Sequence, residues 1–296
     1  MNKFFCLIVI LLFPLTALAN VLTLYALPSA EGLDYSTPRS LFFSTLKNSF
    51  ERRDFPLGHM FVEIKCQNRP AEMVTMTGEY RYLRQLFFEG RGLGILFQSV
   101  DGKLLEGRDV SDKVSQFLKE GKLSFINYQL NEGQCLRVTK YLKEYRENNV
   151  GRNAGLVNRP LFGEGGSSGS FGVSFLEVLG LLETDYELTW KTTLNVPLEW
   201  SGPPLREERV NFLTFLMSDV TWATGNVPHK TLSFWDPEKI DRWIRERIQR
   251  AAIERNIVLA MKNSQGILMV KSHLPASEGT IWRQFTDPAY RKSKVP

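Results

Sequence analysis

Along this chain the hydrophobic period switches repeatedly between two and about 3.6, which predicts short strands and helices in alternation. Val21–Leu27 (VLTLYAL) is rich in strand-forming residues and stops at Pro28, as a strand would. Pro38 suits the first turn of a helix reaching about Arg52, with Leu41, Phe42, Leu46 and Phe50 at helical spacing. From His59 to Cys66 the period is two. His59, Phe61, Glu63 and Lys65 share one side, and Met60, Val62, Ile64 and Cys66 the other.

Further along, 72–77 reads as a partner strand, 79–89 as a short aromatic helix, and 90–100 as a glycine-punctuated turn and strand. Asp101-Gly102 predicts a tight hairpin turn, and 111–120 a small helix capped by Ser111 or Asp109. Residues 123–130 alternate as a strand, and Asn131 caps a helix ending near Asn148-Asn149. A loop over 149–166 leads to a helix over 167–182, with Phe171, Phe175, Val178, Leu179 and Leu182 on its core-facing stripe. Then come a strand over 186–192, a Pro/Gly linker over 195–205, a helix over 206–218 and a loop over 224–237. A charged helix over 238–253 and a hairpin of 257–261 with 266–271 precede a polar, basic tail.

Composition narrows the function classes. At 43% hydrophobic and 12% aromatic residues the chain has ample material for a packed core. The net charge of +5 is spread without a dense basic block, so nucleic acid is not an expected partner. Residues 1–19 combine Lys3, an apolar run and Ala17-Leu18-Ala19, which predicts a cleaved signal peptide and a periplasmic or extracellular protein starting at Asn20. No later segment is long and apolar enough to span a membrane. In an oxidising compartment Cys66 and Cys135 can form a disulfide, although Cys135 also fits as a small buried hydrophobe. Three scattered histidines and these cysteines match no metal-ligand spacing. The Gly163–Gly169 run lacks the residues of a phosphate loop, so neither a metal nor a cofactor is expected.

The candidate chemistry sits where that Gly/Ser run opens into the helix. A helix start presents free N–H groups and a positive dipole end, which favour a nucleophile and a developing oxyanion. Ser167 or Ser168 supplies the hydroxyl, His59 the base and Glu63 the group that orients it. Each has a plainer role open to it: helix capping for Ser168, a structural histidine for His59, an exposed strand carboxylate for Glu63.

The order of GHMFVEI (58–64) followed by a small-residue loop and Ser168-Gly169-Ser170-Phe171 resembles the circularly permuted NlpC/P60 branch of the papain-like superfamily over 21–182. In that branch a His-bearing strand precedes a helix that starts with the nucleophilic Cys; here Ser168 stands at the matching position. The resemblance implies an α+β fold, a mixed sheet packed on helices. It also implies amidase, peptidase or acyltransferase chemistry on peptidoglycan peptides or lipid esters, weakened or lost because Ser replaces the thiol. The resulting division is a signal peptide (1–19), a papain-like core (20–194), a linker (195–205) and a C-terminal α/β extension (206–296). The competing reading is a non-catalytic envelope-binding or structural module using the same cleft.

Overall fold

Ten strands carry the architecture of the computed structural model, which describes residues 20–51, 54–78 and 89–283. They are β1 (Val21–Leu27), β2 (His59–Lys65), β3 (Glu72–Gly78), β4 (Val100–Glu106), β5 (Ser124–Gln129), β6 (Asn153–Ala154), β7 (Lys191–Pro197), β8 (His229–Trp235), β9 (Ile257–Met261) and β10 (Ser264–Val270). Eight form one sheet in the order β6-β4-β3-β2-β1-β5-β10-β9, while β7 and β8 pair as a separate ribbon. Only β10 runs parallel to its neighbour β5, so the sheet is mixed. The helices are α1 (Pro38–Glu51), α2 (Arg108–Lys119), α3 (Glu132–Glu147), α4 (Ser168–Leu179), α5 (Thr184–Thr189), α6 (Phe212–Met217), α7 (Pro237–Gln249) and α8 (Ala251–Glu254).

Strand periodicity sorts the residues onto two faces. Leu22, Leu24, Met60, Val62, Val74 and Ile126 point into the main core, which α3, α4 and α7 cover. Their neighbours Tyr25, Phe61 and Phe125 point the other way, onto the apolar side of α2. A third cluster seals the β7–β8 ribbon around Val196 and Leu232, with Leu41 of α1 against it. The architecture is therefore α+β, a large mixed sheet packed with helices.

Several expectations give way to tertiary context. Asp101-Gly102 lies inside β4 and makes no turn, because Gly102 lets the Asn153 backbone approach to where a Cβ would sit at 2.6 Å. Helix α2 is preceded by Gly107 at φ 81°, and neither Ser111 nor Asp109 caps it; the Ser111 hydroxyl donates back to the Arg108 carbonyl instead. The segment expected as a strand over 186–192 opens within helix α5, and Tyr186 stacks at 4.0 Å on Trp190, the residue that caps its end. The loop expected over 224–237 contains β8, a partner that β7 requires. The linker expected over 195–205 begins as the end of β7. Most consequential, the described part of the expected extension over 206–296 does not stand apart: α7, β9 and β10 complete the main sheet and core. The signal peptide and most of the aromatic helix expected at 79–89 lie outside the described residues.

Candidate functional site

Helix α4 starts where the glycine and serine run ends, as its composition requires. Ser167 is the N-cap, its hydroxyl accepting from the Ser170 N–H at 3.1 Å. Ser168 is therefore the first helical residue; it is half-buried and its hydroxyl forms no hydrogen bond with another described residue. The turn is crowded. A Cβ on Gly169 would lie 2.3 Å from the carbonyl oxygen of Trp235, so only glycine permits β8 to close over the helix start. That carbonyl brings negative partial charge to the turn where an oxyanion would gather.

Strand β2 runs beneath α4, and Gly172 allows the contact: a Cβ there would meet Met60 Cε at 2.9 Å. The Met60 side chain thus points at α4, and strand alternation sends His59 to the opposite side of the sheet. There the imidazole is 3% exposed, packed between the rings of Phe55 at 4.0 Å and Phe61 at 4.8 Å. Its Nε2 lies 2.7 Å from Thr75 Oγ1, and that hydroxyl donates its one proton to the Met60 carbonyl at 2.6 Å. His59 must then donate from Nε2–H to the hydroxyl, which assigns the tautomer from the hydrogen-bond network. Burial, reinforced by the positive charge of Lys113, lowers the imidazole pKa to about 3. The ring is neutral, dry and a poor proton acceptor.

Glu63 shares the His59 face but lies four residues further along β2, roughly 13 Å away at strand rise. Its carboxylate accepts a hydrogen bond from the Tyr25 hydroxyl at 2.7 Å, and burial together with this carboxylate raises the phenol's pKa. The structure therefore does not assemble the predicted trio. Ser168 belongs to the main-core side of the sheet, His59 and Glu63 to the other, and neither carboxylate oxygen is bonded to the imidazole. Sequence alternation already separated His59 from Met60; what it lacked was which side α4 would take.

Two features of the surroundings concern stability. Cys66 and Cys135 are joined as a disulfide with a Cα–Cα distance of 5.9 Å, which ties the end of β2 to α3. Asn131 caps α3 in a reciprocal box with Gln134, and its side-chain amide also donates to the Leu274 carbonyl, pinning the chain after β10 to the helix start. Among the described residues no cluster of His, Cys, Asp or Glu could hold a metal ion, and no helix is long and apolar enough to cross a membrane. Comparison with models of protein families, with curated proteins and with solved structures finds no match to this chain.

Proposed function

We propose that this chain is an exported module that binds a component of the cell envelope without turning it over. The observation that carries the reading is the direction of His59: a neutral imidazole sealed between Phe55 and Phe61, across the sheet from Ser168, is not available as a base. The disulfide supports export, because such a bond persists in oxidising compartments. A degenerate hydrolase of the permuted NlpC/P60 type has one observation in its favour, the packing of α4 against the strand that carries GHMFVEI. Against it stand the buried ring and the Trp235 carbonyl at the helix start.

Ser168→Cys separates the two. In the chain beginning at Asn20 the introduced thiol is the only free one. The binding module predicts that its alkylation rate follows the same pH profile whether or not His59→Gln is also present, and that no activated ester is hydrolysed. A thiol pKa well below the ordinary value of about 8.5 that returns to it with His59→Gln would reveal a Cys–His pair and overturn the proposal.

A further inference from the structure

Helix α1 is built inside out. Arg39, Phe43, Leu46 and Phe50 follow one another in steps of four, three and four residues, so they share one face of the helix. That face points to solvent: Phe43 is 46%, Leu46 41% and Phe50 78% exposed. The opposite side holds Asn48, which is fully buried. Its side chain accepts from the Glu31 N–H at 2.9 Å and donates to the Gly32 carbonyl at 3.0 Å and the Ser44 carbonyl at 2.9 Å. A polar residue thus helps to dock the helix on the protein by hydrogen bonds, and Phe43, Leu46 and Phe50 are left facing out. Isolated apolar residues at a surface need no explanation, but three aligned on one helical face do.

Charge indicates what covers them. The Arg39 guanidinium lies 5.7 Å from the Phe43 ring, at one end of the stripe. Lys47 flanks its middle, its ammonium 2.9 Å from the Glu31 carboxylate. Aromatic and aliphatic residues bordered by cations suit the boundary between lipid headgroups and acyl chains. A second copy of the chain would bring the same cations together. We infer that the outer face of α1 lies on an anionic lipid surface, with Phe43, Leu46 and Phe50 entering the interface and Arg39 meeting phosphate groups. This deepens the binding reading by naming the surface bound.

The test is sedimentation of the protein with vesicles, of phosphatidylcholine alone and of phosphatidylcholine mixed with phosphatidylglycerol. It is run on the full chain and on the chain from Asn20, so that the apolar N-terminus is controlled. The wild-type chain from Asn20 is expected to bind the anionic vesicles and to lose binding as salt rises. Phe50→Ser should weaken partitioning on the order of tenfold or more, and Arg39→Glu by a similar factor on anionic vesicles only, with thermal midpoints unchanged. The inference is overturned if the chain from Asn20 leaves the vesicles in the supernatant or if neither variant alters binding. It is equally overturned if Phe50→Ser abolishes concentration-dependent self-association in a protein that ignores lipid. Any of these results leaves the thiol assay on Ser168→Cys intact, and a Cys–His pair found there would leave vesicle binding intact, so the two readings fail separately.

Discussion

Helices α1 and α4 make an instructive pair. Each has phenylalanines at helical spacing, Phe43 and Phe50 in one and Phe171 and Phe175 in the other, and each starts from a turn rich in small or capping residues. In α4 every residue is buried except Ser168 and Glu177, because sheet, α3 and β8 all press on it. Helix α1 touches the body through Pro38, Leu41 and Asn48, and its Phe43 and Phe50 rings face out. The difference follows from what each helix can leave in water. Glu177 is the only charge in α4, so no side of that helix gains by solvation. In α1, Arg39, Lys47 and Glu51 must stay wet, and a triply bonded Asn48 holds the inward side together with Leu41. An apolar stripe therefore predicts a helix, while its polar partners decide which way the stripe looks.

The largest expected effect tests the buried member of the pair. Phe171 is fully buried, with its ring 5.0 Å from that of Tyr145 and 5.2 Å from that of Phe175. Phe171→Ala should cost about 3–5 kcal/mol in urea unfolding, the range for an emptied aromatic site in a core. A loss below about 1 kcal/mol would mean that α4 is not the packed centre described here.

The second prediction concerns the two sides of the sheet on which α4 and His59 lie. The folded imidazole titrates near 3, whereas the unfolded one titrates near its ordinary value of 6.5. Between those values the unfolded chain binds the extra proton, so stability falls as pH drops from 6.5 towards 3. The slope from this group is about 1.4 kcal/mol per pH unit, or roughly 3 kcal/mol two units below the unfolded value. His59→Gln keeps an N–H for Thr75 and removes the titration. Unfolding free energies measured from pH 7 to pH 4 should show a shallower acid slope in this variant. An unchanged slope would place the ring in water.

How much of this was legible beforehand depends on the kind of signal. Local signals are sufficient for some elements: β1 spans Val21–Leu27, as its run and Pro28 indicate, and Asn131 caps α3. Alternation in β2 correctly divided His59 from Met60. Non-local decisions were not written in local pattern. No short window says that Trp235 closes over Gly169, that β10 joins β5 in parallel, or that Thr75 waits opposite an imidazole. Ser168 and His59 were each placed on the right element, and the proposed constellation depended on a sheet side that periodicity alone does not assign. The same limit applies to α1, where helical spacing groups Leu46 and Phe50 with Leu41 and Phe42 but does not say that the helix turns Leu46 and Phe50 outward.

Smaller effects belong to the inverted helix. Asn48→Ala removes three hydrogen bonds and leaves the Glu31 N–H, the Gly32 carbonyl and the Ser44 carbonyl to find other partners. The expected loss is about 1–3 kcal/mol by equilibrium unfolding, with hydrogen exchange accelerated in α1 ahead of α4. Global unfolding without a local change in α1 would show that Asn48 supports the body more than the helix.

The smallest expected effect is the most discriminating. Phe50→Ser removes an aromatic ring that is mostly in water already, and serine and phenylalanine have similar helix propensities. Stability should change by less than about 0.5 kcal/mol, in contrast to the several kcal/mol expected at Phe171. The result bears on the comparison because apolar burial on folding and apolar burial on binding would be measured at the same residue. If Phe50→Ser unfolds at the wild-type urea midpoint, the ring contributes nothing to the folded monomer and is left free for contacts outside the chain. If instead the unfolding free energy falls by about 1 kcal/mol or more, Phe50 packs on the protein itself and α1 is an ordinary core helix like α4.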